Sequence, residues 1–430
     1  MLNAIEELSA LPNIEYAHPN YIIRAADTVF TPEYNMEKIS APDAWNEDID
    51  CSGIVVGVLD TGIEYTHDYL ANNIWVNTAE LNGIPGFDDD GNGIADDING
   101  WNFISGTDDI MDDDAHGHGT HVAGIIGAEM NLSNNTSGVA PNVKLAGIKV
   151  LGANSGGTLL TVLDGIEYAG ESGFNIVNMS VEADVSADPP PILLEALSRA
   201  SNCLFVIAAG NKNKDNDNTP QVFGSIILDN VIVVANSNQS DNKSGTSCWG
   251  SKTVRIAAPG ANILSTVRGN TYNYLGGTSM SAPHVTGAAA LILAKNPNLT
   301  PLQIKNRLIY GADEVSALKA YITDGRRLNV SKSLSLSEIA NVGRFYTEIY
   351  QGQDKAVFID FDIEKASNVV FGVLFYEGDR FVDWHLDSKQ NYNSQIGFLV
   401  ENRFTRISAF IWEDYQNLKP IDFKTIGVNP

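Results

Sequence analysis

The sequence predicts an α/β fold, a parallel sheet covered by helices on both faces, followed by a small antiparallel β domain. Three observations predict it. Apolar, β-branched runs recur between residues 54 and 257 and have the length and composition of buried strands. Helical stretches lie between most of these runs, and strand–helix alternation with continuously apolar strands implies parallel pairing with both faces covered. After about Leu336 the helices stop, and short strands follow one another across polar turns.

The elements follow in order. Met1–Ala26 is expected to form a short amphipathic helix with Leu2, Ile5 and Leu8 on one side, a turn at Pro12-Asn13 and a strand around Ile14–Tyr16. It is too small to fold alone. Strands are expected at Ile54–Leu59, Val143–Leu151, Asn175–Met179, Leu204–Ala208, Val231–Val234 and Val254–Ala257. Helices are expected at Gly119–Ala128, Leu159–Ala169, Pro191–Ala200, Ser281–Lys295 and Pro301–Tyr310, the last with Thr300 as N-cap and Pro301 in its first turn. Arg344–Ile349, Ala356–Phe361, Val369–Tyr376, Gln395–Val400 and Arg406–Trp412 complete the pattern as strands. The expected division is a partial leader over 1–26, an α/β domain over 27–338 and a β domain of unassigned role over 339–430.

Composition bounds the function. The 430 residues suffice for two or three domains, and 43% of them are hydrophobic, enough for a full core. The 27 Lys and Arg stand against 53 Asp and Glu, a net charge of −26. That balance argues against nucleic acid, because phosphate binding needs a basic face. It argues equally against an anionic membrane surface. No apolar run reaches the length of a membrane-spanning helix. Cys51, Cys203 and Cys248 are too few for a disulfide framework; one bridge is open to them, but free buried thiols are expected. Met1–Leu11 has neither the basic nor the apolar region of a secretory signal.

Four local signals carry chemistry. Asp60 ends an apolar strand, and Gly62 allows a sharp exit, at the strand end where ligands bind in parallel sheets. Taken alone, Asp60 also fits a turn cap. His118 opens a helix of small residues in His118-Gly119-Thr120-His121-Val122-Ala123-Gly124. His121, inside that helix, is expected to be structural, and His116 to be loop-exposed. Ser279 stands at a helix N-terminus in Gly277-Thr278-Ser279-Met280-Ser281-Ala282-Pro283-His284-Val285, where the dipole and free N–H groups favour a developing oxyanion. Alone it fits an N-cap. Ala208-Ala209-Gly210-Asn211 ends another strand with a side-chain amide beside a glycine.

Asp, His and Ser at strand or helix ends are the parts of an activated nucleophile. With these residues the sequence resembles the subtilisin-like serine peptidases, the subtilases. The resemblance spans about residues 30–335 and includes Gly138-Val139-Ala140-Pro141, Asn178-Met179-Ser180 and Ala258-Pro259-Gly260. It implies a subtilisin-like sheet and a serine endopeptidase acting through an acyl-enzyme. Asp60, His118 and Ser279 are then the triad, and Asn211 with the Ser279 N–H is the oxyanion hole. The sedolisin relatives are disfavoured, since they have Glu where His118 stands and Asp where Asn211 stands. The alternative is a catalytically silent subtilase scaffold acting as a binding protein.

The resemblance also implies how substrate is held. An extended protein or peptide substrate would pair with edge segments at Ser180-Val181-Glu182 and near Gly156-Gly157-Thr158. The family usually has Gly after the residue matching Val181, whereas this chain has Glu182. Either Glu182 is a solvated side chain, or it crowds the pocket and favours a basic substrate residue.

The acidic stretch between Asp60 and His118 suggests calcium. Asp88, Asp90 and Asn92 followed by Gly93 fit the first half of a calcium loop, with Asp96 as a further carboxylate. Asn99 stands where a closing Glu would be, and a solvated charge run is the alternative. Asp112-Asp113-Asp114 is expected to share the ion. Another calcium site of the family is missing a ligand, since Tyr69 stands where an Asp is often found.

Leu8–Tyr21 resembles the tail of the inhibitor-type propeptide of subtilases. The expectation is a truncated gene start, the chain's own propeptide as inhibitor, and processing between about Tyr21 and Val29; a short uncleaved arm is the alternative. A secreted monomer is expected from the resemblance, with a cytoplasmic enzyme as alternative.

Overall fold

The structure, a computed structural model, describes residues 33–131 and 133–336 and, beyond them, seven strands between residues 339 and 427. The expected elements of Met1–Ala26 lie outside the described residues.

A nine-stranded sheet forms the centre. Its strands are β1 (Val55–Asp60), β2 (Gly100–Asn102), β3 (Lys144–Lys149), β4 (Ile176–Met179), β5 (Leu204–Ala208), β6 (Val231–Ser237), β7 (Ile256–Pro259), β10 (Asp313–Glu314) and β11 (Arg326–Arg327). A separate hairpin joins β8 (Ile263–Val267) to β9 (Thr271–Leu275). The spatial order is β10-β11-β7-β6-β5-β4-β1-β3-β2. Every pairing in the large sheet is parallel except β10 with β11. The six expected strands are all there; the last begins at Ile256 because Val254 closes a turn onto Gly250. β2 escaped the pattern because it is three residues long. It lies against β3 at a glycine, Gly100, whose φ is +120° and where an added Cβ would sit 2.0 Å from the Gly147 carbonyl oxygen.

Two cores cover the two faces. On one face Val56, Val58 and Ile176 pack with the helices His118–Gly127 and Thr278–Lys295. On the other, Leu59, Val177 and Met179 pack with the helices Leu159–Glu171 and Pro191–Arg199. Alternate residues of one strand feed opposite cores, which is why the strands read as unbroken apolar runs. Cys51, Cys203 and Cys248 are free and buried, and burial pushes the Cys51 and Cys203 thiols up to about 12.

The helix Val330–Ser335 is followed by seven antiparallel strands in two sheets. Ile339–Tyr350, Asp354–Glu364 and Tyr392–Val400 form one. Val369–Glu377, Arg380–Lys389, Arg406–Trp412 and Pro420–Gly427 form the other. Phe361 and Phe371 join the sheets, with ring centroids 4.8 Å apart.

Candidate active site

The sheet order turns at β1. The chain passes from β1 to β3 on one side and reaches β4 on the other, and such switch points open a crevice at the carboxyl ends of the strands. Asp60 is the last residue of β1 and is fully buried. Its Oδ1 accepts the Thr61 N–H and lies 2.7 Å from His118 Nδ1. Asp60 Oδ2 is buried with no partner among the described residues. An unneutralised buried carboxylate is costly unless a cation completes it, and an imidazolium at His118 would do so.

His118 opens the helix His118–Gly127, after Gly117 at φ +64°. Nδ1 faces the carboxylate and therefore carries the proton, which leaves the Nε2 lone pair for the cleft. Burial alone would lower the His118 pKa. The Asp60 carboxylate outweighs it, with Asp114 and Asp112 adding to the pull, and the pKa rises above its ordinary value. His121 is structural: it is fully buried against the Ile263 and Asn273 carbonyls, and burial drives its pKa down to about 3. His116 is exposed.

Asp112, Asp113 and Asp114 are engaged in protein contacts around this pair. Asp112 accepts from the Thr61 hydroxyl and from the Thr120 N–H and hydroxyl. Asp113 pairs with buried Lys149 at 2.6 Å. Asp114 takes the N–H groups of His116 and His118 on one oxygen and the Ser155 hydroxyl on the other. The run thus ties His118 to the loop before Gly156. Sequence reasoning saw the charges and missed this work, because the partners lie up to 51 residues away.

Ser279 is the second residue of the helix Thr278–Lys295, which begins three residues before the expected Ser281 and so contains Pro283. Proline has no N–H for the carbonyl four residues back. That carbonyl belongs to Ser279, and the Ser180 hydroxyl supplies the missing donor at 2.9 Å. Ser180 is itself set by Asn178, whose oxygen accepts from Thr286. The Ser279 hydroxyl points at the Ser180 carbonyl, 3.5 Å away.

Asn211 follows Gly210, which has φ +103°. Its Oδ1 accepts from the Thr278 N–H at 2.9 Å and from the Thr278 hydroxyl. Nδ2 is thereby the end of the amide left for the cleft. Thr278, which also accepts the Gly210 N–H, was not singled out in the sequence; its position beside Ser279 was the available signal.

His118, Ser279 and Asn211 line one cleft of about 640 Å³. Gly156 and Gly157 also line it, as do Ser180, Val181 and Glu182. Neither segment is paired into a ladder among the described residues. The Glu182 side chain reaches the Asn211 backbone N–H at 2.8 Å.

The calcium candidates lie elsewhere, in the loop after the short helix Thr78–Asn82. Carboxylate oxygens of Glu80, Asp88 and Asp90 all lie within 4.8 Å of one another, an all-oxygen set suited to a hard cation. The other expected ligands, Asn92 and Asp96, border it, with the Asp96 N–H on Glu80. Asn92 Oδ1 accepts the Ile94 N–H, and its amide donates to Asp90 and Asp97. Asp96 Oδ2 accepts the Gly86 N–H. Glu80 was not foreseen, since it lies eight residues upstream of Asp88 and only the fold carries it back.

Residues 51–334 match the subtilase family model. A thermophilic serine proteinase of Bacillus sp. strain AK1 is 33% identical over 75% of this chain and 73% of that relative. Subtilisin-like protease 1 of Plasmodium berghei is 38% identical over 64% of this chain, which spans about half (48%) of that relative. The crystal structure of a cold adapted subtilisin-like serine proteinase superposes with a TM-score of 0.52 at 30% identity, covering 66% of this chain and 90% of that one. The match over most of the α/β unit, together with that structural likeness, makes this chain a serine peptidase of the subtilase family.

Proposed function

We propose that the chain is an endopeptidase working through an Asp60–His118–Ser279 triad. Ser279 Oγ turns from the Ser180 carbonyl to His118 Nε2, a single χ1 rotation between staggered wells. It attacks the scissile carbonyl carbon as Nε2 takes its proton. Asp60 holds the imidazole and stabilises its cation. Asn211 Nδ2 and the Ser279 N–H, which has no intrahelical partner in the first turn, receive the oxyanion. Nε2 then protonates the leaving amine as the C–N bond breaks. Water, deprotonated by the same nitrogen, releases the acyl group from Ser279.

The observation that carries this reading is the 2.7 Å Asp60–His118 contact in the cleft that also holds Ser279 and the Asn211 amide. The test is intact-mass analysis after treatment with a serine-directed fluorophosphonate. One adduct on the folded parent and none on Ser279→Ala is expected; no adduct on the folded parent would return the silent scaffold. The silent scaffold gains no support from the relatives, which carry peptidase names.

We further propose that calcium binds Glu80, Asp88 and Asp90, where it would relieve carboxylate repulsion and stabilise the fold. The enzyme is proposed to be secreted and monomeric, with the segment before residue 27 as its inhibitory leader; the starting residue in the same mass spectrum tests the processing. No helix among the described residues is long and apolar enough to cross a membrane.

A further inference from the structure

We infer that Glu182 is a specificity-determining residue that selects a cationic side chain, Arg or Lys, on the substrate residue whose carbonyl is attacked. The inference rests on the peptidase reading of the cleft and adds the substrate class to it.

The argument starts from where Glu182 sits. Two backbone segments flank the nucleophile. Ser180 to Ala183 continues from β4 and is bolted to Ser279 through the Ser180 hydroxyl. Gly210-Asn211 continues from β5 and is bolted to Thr278. A carbonyl carbon seated at Ser279 with its oxygen toward Asn211 Nδ2 puts the side chain of its residue between these two walls. Glu182 crosses that gap. It leaves the first wall and its Oε2 accepts the Asn211 N–H of the second at 2.8 Å. An added Cβ at Gly210 would meet the same oxygen at 3.5 Å. Glu182 Oε1 takes no hydrogen bond from the described residues and stays available to a ligand.

Among the described residues no Lys or Arg forms an ion pair with Glu182. Asp184 and Asp188 line the same cleft, and no Lys or Arg does. Lys212, next to Asn211 in the chain, donates instead to the Ala183 carbonyl at 2.6 Å. Val181 and Phe223 also line the cleft. They offer apolar surface to the aliphatic stem of a lysine or arginine, whose head then reaches the carboxylate. Glu182 is exposed in the open cleft, and a neutral side chain in the same gap would displace water from its carboxylate without supplying a cation in return.

The test separates charge from bridging. Fluorogenic peptides differing only in the residue before the scissile bond (Arg, Lys, Gln or Leu) are hydrolysed by the parent, Glu182→Gln and Glu182→Gly. The amide oxygen of Gln can still accept the Asn211 N–H, but the charge is gone. The parent is expected to prefer Arg over Gln by about tenfold to a hundredfold in kcat/KM, the worth of one charge-assisted hydrogen bond. Glu182→Gln is expected to bring that ratio close to one, and added salt to lower it in the parent alone. A parent without basic preference overturns the proposal. So does a Glu182→Gln variant with an unchanged ratio, including one in which all peptides slow in parallel, since Glu182 would then only position Asn211. Failure of the peptidase reading looks different: the folded parent hydrolyses no peptide and takes no fluorophosphonate on Ser279, and both conclusions fall together.

Discussion

Gly119→Ala should separate His118, the proposed base, from the Asp60 carboxylate while leaving every proposed reacting group in the chain. Gly119 is the second residue of the helix that His118 opens, and its N–H donates to the Thr61 hydroxyl at 2.9 Å. A Cβ added there would sit 2.2 Å from the Gly62 carbonyl oxygen, whereas ordinary contact begins at 3.4 Å. The deficit is 1.2 Å, and the obstacle is backbone, which no rotamer change relieves. Thr61 and Gly62 leave the strand that Asp60 ends, so the push falls on the join between Asp60 and His118. If the helix takes it all, the 2.7 Å contact opens to about 3.9 Å, beyond hydrogen-bond range. Overpacking of this kind costs about 1–3 kcal/mol of stability. A misplacement of about 1 Å in a catalytic group costs about a hundredfold in rate, and complete loss of the aspartate's orienting role about 10⁴-fold. The assay is kcat/KM on a peptide substrate, with near-ultraviolet circular dichroism to establish folding. Gly53→Ala is the control, because nothing lies within 4 Å of an added Cβ there. A folded Gly119→Ala enzyme within threefold of the parent would refute the reasoning.

Three further outcomes are expected. The acid limb of kcat/KM should titrate above the ordinary histidine value of about 6.5, since neutral His118 is the proposed base and Asp60, Asp114 and Asp112 hold its proton; Asp114→Asn should move the limb down, and a limb that stays put would count against that field. The same shift stabilises the fold fully below about 6.5, and that contribution fades as pH rises through the folded pKa. His284 has the opposite sign. Burial lowers its pKa to about 4, and it is held between the Asn35 amide and the Met280 carbonyl, so its contribution is full above about 6.5 and is lost as pH falls toward 4. At pH 5 the loss is about 2 kcal/mol; urea unfolding in a Ser279→Ala background should show His284→Gln losing that much less than its parent between pH 7 and 5, and equal losses would contradict it. Calcium at about a hundred times its Kd should stabilise the parent by about 2.7 kcal/mol; melting curves with calcium and with chelator should separate for the parent and coincide for Glu80→Gln, and a parent indifferent to both would remove the metal.

Local chemistry made much of this legible. The strand ending at Asp60 is written in the run Ile54–Leu59, because a strand buried on both faces must be apolar throughout. The glycines before His118 and Thr278 mark those helix starts, and Thr300 before Pro301 marks the N-cap of the helix Pro301–Tyr310. Each of those features depends on neighbours a few residues away. What the sequence left open depends on distance through space. The three aspartates at 112–114 look like the loop at 88–97, yet the fold assigns them to Thr61, Lys149 and Ser155. Glu80 joins Asp88 and Asp90 only because the loop folds back onto the helix before it. Glu182 could be read as solvated or as crowding a pocket; the fold leaves it exposed and also brings its carboxylate onto the Asn211 N–H, because two adjacent strand ends lie close together. By itself, then, the sequence determined the long apolar strands and helices of the α/β unit and which residue types stand at their ends, since backbone geometry and burial act locally and periodically, while short strands such as β2 left no such pattern. Only the tertiary structure decided which charges meet, because a carboxylate's partner is set by position in space and no sequence period records it.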